Sequence, residues 1–321
     1  MLELKEKLKN GAEDYTPFVM WFTSGDISLK EMTYQIEGFK REDITNYFIH
    51  PVDHTVGDYM GEYYFRMIRH AVNEAKRLGM QYWIYDEYKW PSGIVNGKLL
   101  RDEPWTRMSA LYKKSVTVGA GETVRVSLPS RSENNLKTLL FRADGKDVIV
   151  KEYLDTVEWT NESDSESVLE IYFSMWMKGV HSSANGSEIT WNQEGYLDTL
   201  DREAVSRFIF YTHEAYKREI GEGFGKYVRG VFTDEVTQHF IEPQKDGVVL
   251  PWSRRFEEKF SERNGYDVKE IIPLLFSSEN TDEVIRAKLD FHSTVCDLFM
   301  DAYVGMTFDW CEKNNLIYTG H

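Results

Sequence analysis

Along the chain, short apolar runs alternate with longer segments whose apolar positions recur every three to four residues. The run Pro17 to Thr23, PFVMWFT, stops at Ser24 and Gly25 and reads as a strand covered on both faces. The next segment opens with Ser28 and has Glu31 three positions later, a capping-box spacing. Its Leu29, Met32, Ile36 and Phe39 form a helical stripe. A second run, Thr45 to Ile49, leads into HPVDHT. The stretch GEYYFRMIRHAVNEAKRLG then predicts a helix with Phe65, Ile68, Ala71, Val72 and Ala75 on one side and Gly79 as its terminating glycine. Met80 to Ile84 is a third strand, followed by YDEYKWPSG.

The rhythm then changes. Between Trp105 and Tyr196, apolar and polar residues alternate with period two, broken by Gly, Asp-Gly, Asn and Ser turns, which predicts a small antiparallel β unit. Helical spacing resumes at DREAVSRFIFYTHEAYKREI, followed by a fourth strand in YVRGVFTDE. A long excursion from Val236 to about Asp282 holds the helix SRRFEEKFSERNGYD. A last long helix leads into LIYTGH, the fifth strand.

Strands alternating with helices at this spacing predict parallel βα units, because each return to the same sheet edge needs a crossover. The expected domains are residues 1–104 and 197–321, forming one α/β body, with 105–196 as a β-rich insertion. Two architectures fit: an open α/β sheet, or a TIM-like (β/α) barrel of which about five strands are present. The barrel is favoured because polar groups sit at successive strand ends, which in a barrel ring one mouth. Five strands leave edges and apolar helix faces open, so either self-association or further chain is expected to cover them.

Composition narrows the partners. With 38 basic and 53 acidic side chains the net charge is −15, which repels nucleic acid and anionic membranes. The 9 Trp and 19 Tyr suit stacking on a neutral carbohydrate, although large aromatics also serve as plain core. Cys296 and Cys311 lack metal-ligand spacing. The N-terminus carries no apolar run of signal length, which predicts a cytoplasmic protein. The sequence has no GxGxxG, Walker A or GxSxG motif.

The strand ends carry the candidate chemistry: Trp21 on strand one, Asp53 and His54 after strand two, Asp86 and Glu87 after strand three, Asp234 and Glu235 after strand four, and His321 after strand five. Carboxylates crowded under aromatic cover repel one another and lose water, which raises at least one pKa and leaves a proton available near neutrality. Glycosidic bond cleavage needs that division of labour. The blocks WFTSGDISLKEMTYQIEGFKREDI, WIYDEYKWPSG, YLDTLDREAVSRFI, VRGVFTDE, LPWSRRFEEKFSERNGYD and DWCEKNNLIYTGH resemble, in this order, those of the α-L-rhamnosidase-like glycoside hydrolases, family 106 and its unassigned relatives. Strand one departs from the family pattern, with WFTSGD where a Trp-Asn or similar pair is usual. The resemblance implies a TIM-like catalytic domain in a longer protein, hydrolysis of terminal deoxy-sugars and, in some members, a bound Ca2+. Carried onto this sequence, it implies Glu235 as a catalytic acid or base, with Glu87 next. Asp86, Trp90, Ser92 and Asp234 fall beside the sugar with His321, and Asp86 or Asp234 could instead be a metal ligand. Trp21, Asp53 and His54 complete the expected sugar site. The alternative is a non-catalytic carbohydrate-binding protein.

Overall fold

The computed structural model describes residues 5–6, 17–52, 59–177, 180–182, 189–192, 195–236 and 249–321. Among them no helix is long and apolar enough to cross a membrane. The chain is a mixed α/β protein with several sheets, and it divides into two compact units. One comprises Met1–Leu99, Ser206–Val236 and Val304–His321; the other comprises Leu100–Val205 and Thr237–Tyr303. These divisions differ from the expected 104/105 and 196/197, and the helical excursion after Val236 belongs with the β-rich segment.

In chain order the elements are β1 (Phe18–Thr23), α1 (Leu29–Arg41), β2 (Asn46–Pro51), α2 (Glu62–Leu78) and β3 (Gln81–Tyr85). The nine strands of the middle region follow: β4 (Ser109–Val118), β5 (Thr123–Ser127), β6 (Lys137–Ala143), β7 (Lys146–Asp147), β8 (Lys151–Tyr153), β9 (Thr156–Thr160), β10 (Ser167–Trp176), β11 (Val180–Ser182) and β12 (Ile189–Asn192). The chain continues with α3 (Arg202–Tyr211), α4 (His213–Ile220), β13 (Val228–Thr233), β14 (Leu250–Trp252), α5 (Phe256–Asn264), α6 (Asp282–Phe299), α7 (Met306–Lys313) and β15 (Ile317–Gly320).

The first unit is built on one parallel sheet in the order β1-β2-β3-β13-β15. Its two end strands are not paired with each other, so no closed barrel forms among the described residues. Ser28 caps α1 by accepting the Glu31 N–H at 3.1 Å, and Gly79 ends α2 in the left-handed region at φ 63°. The period-two alternation of the strands gives the sheet two distinct faces. On one face Tyr47 donates to the Ala71 carbonyl of α2 and Trp21 packs on Phe39 of α1. On the other face Phe18, Phe48, Trp83, Tyr85 and Phe232 form an aromatic layer with centroids 5.0 to 6.2 Å apart. Gly230 of β13 is where this layer is tightest: a Cβ there would lie 2.4 Å from the Ile317 carbonyl and 2.5 Å from the Trp83 ring.

The second unit holds a five-stranded sheet, β14-β4-β10-β6-β7, and a three-stranded one, β5-β9-β8. Their facing side chains, among them Tyr112, Val126, Val157, Ile171 and Phe173, make a common core. Asp198 accepts from Ser253 at 2.7 Å, and Asp201 accepts from Arg254 at 2.6 Å, which ties the stretch before α3 to the stretch after β14.

Two segments read as single helices are interrupted. Thr212 separates α3 from α4, its hydroxyl donating to the Phe208 carbonyl at 2.8 Å. Between α6 and α7 lies a wide π turn, Met300–Gly305. The apolar stripe continues across both breaks, so periodicity does not reveal them.

Candidate active site

The two acid pairs do not enter the structure as equivalents, and strand register is the reason. In the parallel pairing Val231 lies opposite Ile84 and Phe232 opposite Tyr85. Thr233 is therefore level with Asp86, and Asp234 is one residue further along. Because successive side chains point to opposite faces, Asp86 faces the helices while Asp234 faces the aromatic layer.

Asp234 is buried and its carboxylate is the hub of the second face. It accepts from the Tyr85 hydroxyl at 2.8 Å and lies 3.4 Å from His321 Nδ1. His50 Nε2 stands 3.9 Å from its Oδ2. Burial pushes the Asp234 pKa upward, opposed by the Tyr85 hydroxyl and by His321. His50 is fully buried, neither ring nitrogen has a hydrogen-bond partner among the described residues, and burial pushes its pKa down to about 4. Its ring is covered by Tyr85 at 4.1 Å, Phe22 at 4.5 Å and Trp90 at 5.6 Å.

Glu235 is the accessible carboxylate, with a side chain 35% exposed and Oε1 3.8 Å from His321 Nδ1. Its backbone sits at φ 48°, in the left-handed region that non-glycine residues seldom occupy, and its N–H donates to the His321 carbonyl at 3.0 Å. Burial and then the neighbouring Asp234 charge raise its pKa, with His321 opposing. Asp234, Glu235 and His321 bring one ligand atom each to within 4.8 Å of one another. That set fits Ca2+ poorly, since calcium takes six to eight oxygens and one of these three donors is a nitrogen.

Glu87 has a different setting. It is fully buried, and its Oε2 accepts the N–H groups of Gly93, Ile94 and Val95 at 3.1, 2.7 and 2.7 Å. Its Oε1 accepts those of Tyr88 and Asn96 at 2.9 and 2.7 Å. The loop achieves this convergence by placing Lys89, Val95 and Asn96 at positive φ, giving a nest of amides around an anion. Each such bond to a charged acceptor contributes about 1.5–3 kcal/mol, which offsets the strain of a β-branched residue at φ 55°. Burial pushes the Glu87 pKa up to about 7 against the pull of these amides. Expected as the second catalytic carboxylate, Glu87 instead has both oxygens committed to holding the loop after β3.

The remaining expected residues divide in the same way. Asp86 is fully buried, and burial pushes its pKa up to about 8. Ser92 is also buried: its hydroxyl donates to Asp86 at 2.5 Å and accepts the Asp234 N–H at 2.9 Å, while its own N–H donates to the Asp234 carbonyl at 2.8 Å. Trp21 belongs to the core against α1, and Phe22, 53% exposed, takes the place on the aromatic face that Trp21 was expected to hold. Trp90 lies beside His50. Asp53 and His54 lie outside the described residues. The structure thus gathers Asp234, Glu235, His321, Trp90 and the unanticipated His50 and Phe22, ties Ser92 to the Asp234 peptide from behind, and places Asp86, Glu87 and Trp21 elsewhere. His50 could have been found by its parity: it follows Phe48 by two positions on the same strand face.

No protein-family model matches the sequence, and no curated protein matches it. Among solved structures, the chain is similar to a rhamnosidase from Novosphingobium sp. PP1Y, with a TM-score of 0.60 and 14% sequence identity. The match covers 99% of this chain and 47% of that one. The chain thus spans about half the length of that enzyme and shares its fold over nearly all of its own length.

Proposed function

We propose that this protein is a glycoside hydrolase that cleaves a terminal sugar, an α-L-rhamnoside or similar deoxy-sugar, with Glu235 as the proton carrier. The observation that carries the reading is Glu235 itself: an accessible carboxyl at a strand end, held in an unusual backbone conformation beside a second carboxylate and the His321 imidazole. Sequential parallel strand order is what a (β/α) barrel requires, and in barrels chemistry sits at the carboxyl ends of the strands. We accordingly read the five-stranded sheet as part of a TIM-like barrel. The likeness to half of a rhamnosidase supports this architecture.

In this mechanism the raised pKa of Glu235 keeps a proton for the departing glycosidic oxygen. Asp234, one residue away, supplies the negative charge that holds that proton; as the glycosidic bond breaks, water bonds to the anomeric carbon and gives its proton to Glu235, which restores the acid. Phe22 and Trp90 offer apolar faces for the sugar ring, and His50, neutral and buried beneath them, backs the Asp234 carboxylate. His321 moderates the charge of both carboxylates. Glu87 and Ser92 act behind the site, one shaping the loop after β3 and the other fixing the Asp234 peptide. Replacing Glu235 with Gln should lower kcat/KM on an aryl α-L-rhamnoside by at least ~10²-fold while leaving the fold intact, because loss of general acid or base catalysis costs that much. The pH–rate profile should fall on an alkaline limb above the ordinary glutamate range.

One observation favours a second reading. Glu87 is enclosed by the loop it organises, so the β3 acid pair contributes no free carboxylate to the site. A carbohydrate-binding protein without hydrolysis would suit that arrangement. Calorimetry with L-rhamnose and rhamnosides separates the two: binding without turnover favours the second reading, and turnover excludes it.

A further inference from the structure

Beneath the sheet, on the helix face, one carboxyl oxygen and one imidazole nitrogen face each other. Asp86 Oδ2 and His213 Nε2 are both buried, neither has a hydrogen-bond partner among the described residues, and they lie 4.0 Å apart. Asp86 Oδ1, by contrast, takes the Ser92 hydroxyl at 2.5 Å, and Thr233 also donates to this carboxyl. The other imidazole nitrogen, His213 Nδ1, lies 2.7 Å from the Thr212 hydroxyl oxygen, and that hydroxyl gives its own proton to the Phe208 carbonyl at 2.8 Å. A hydroxyl whose proton is already donated can only accept from Nδ1, so Nδ1 carries the imidazole hydrogen and Nε2 presents a lone pair. Facing an ionised carboxylate, that lone pair would leave two buried acceptors 4.0 Å apart with no donor between them among the described residues.

We infer that Asp86 is a neutral carboxylic acid whose proton is directed at His213 Nε2, and that this pair is a positioning element for the Asp234 end of β13. The connection runs through Ser92. With Asp86 holding its proton on Oδ2, Oδ1 is left to accept the Ser92 hydroxyl. That orientation frees the Ser92 oxygen to accept the Asp234 N–H, so the peptide carrying the hub carboxylate is fixed from behind.

Burial and the charged neighbours favour neutrality and outweigh the Ser92 and Thr233 hydroxyls, which pull the other way. The Glu87 and Asp234 carboxylates and the side chains of Tyr59, Tyr64, Tyr85, Cys311 and Tyr318 are the titratable neighbours of Asp86. None of these is a cation. His213 is enclosed by Phe208 and Trp310, and burial pushes its pKa down to about 3, so a neutral ring faces Asp86 Oδ2 across 4.0 Å. The inference does not depend on the activity proposed above.

Two spectroscopic signatures test it in the intact protein. Long-range proton–nitrogen correlation on histidine-labelled protein at pH 7 should give His213 the Nδ1–H form. Infrared difference spectra of wild type against Asp86→Asn should show a protonated-carboxyl C=O band that the variant lacks. An Nε2–H imidazole, or the absence of that band, would overturn the inference. The carboxamide of Asp86→Asn keeps both an acceptor for Ser92 and a donor for Nε2, so its unfolding midpoint should stay within about 2 °C of wild type. Asp86→Leu, with neither, should lose about 5 °C or more. Equal losses in the two variants would contradict the donor role, and should neither variant fold, the wild-type tautomer decides alone.

Discussion

Adjacent acids on one chain have opposite tasks here, and their hydrogen bonds say which. Glu87 is surrounded by five backbone donors, so it is held in place, whereas the Glu235 side chain is partly exposed, as the proposed proton transfer requires. Replacing Glu87 with Gln turns an amide against at least two of those N–H groups. With each buried unpaired donor costing about 1–3 kcal/mol, denaturant unfolding should show a loss of roughly 3 kcal/mol or more. Asp86 makes a pH prediction whose sign is fixed. Its folded pKa of about 8 lies above the model-compound 3.8, so the fold holds a proton that the unfolded chain releases. Its contribution is complete below about pH 4 and is lost as pH rises through about 8. Buried His50 and His213, depressed to about 4 and 3, act in the opposite sense below pH 6.5. The window free of these histidines is therefore pH 6.5 to 8, where Asp86 alone should lower stability by up to ~1.4 kcal/mol per pH unit. The decline should be shallower in Asp86→Asn, while the smaller share from Glu87 and Asp198, pushed up to about 7, persists. What the sequence made legible at this scale was which residues carry charge near strand ends. The neighbours that decide their roles, Thr212 and His213 for Asp86 or the amides of residues 88–96 for Glu87, come from loop geometry and from a helix more than a hundred residues away.

Strands and helices were readable where an apolar period runs for more than a turn or a few pleats. The five parallel strands, the Ser28 cap and the Gly79 terminus follow directly from spacing. Register was not readable, and register decides the site: Asp-Glu occurs after both β3 and β13, but pairing Phe232 with Tyr85 offsets the second pair by one residue and sends the two aspartates to opposite faces. The same parity exchanges Trp21 for Phe22 and brings in His50. Gly230 marks a close approach in this sheet. Gly230→Ala should destabilise the protein by roughly 1–3 kcal/mol in denaturant unfolding, because neither the Ile317 carbonyl nor the Trp83 ring can retreat without disturbing its own packing. A variant as stable as wild type would show that the β13–β15 contact is looser than described.

At the scale of the molecule, the negative charge and aromatic richness directed attention to a neutral, stackable ligand, and the shared fold with a rhamnosidase gives that expectation an architecture. The likeness extends over 99% of this chain at 14% identity, so it speaks through shape and leaves chemistry to the residues. Those residues concentrate at one place, where Asp234, Glu235, His50 and His321 converge beside Trp90 and Phe22. The most direct test of the account is the hydrolysis of an aryl α-L-rhamnoside by wild type and Glu235→Gln, measured side by side with matched unfolding curves. Turnover by wild type and a loss of at least ~10²-fold in the folded variant is the expected result; rates within about threefold of each other would contradict Glu235 as the proton carrier.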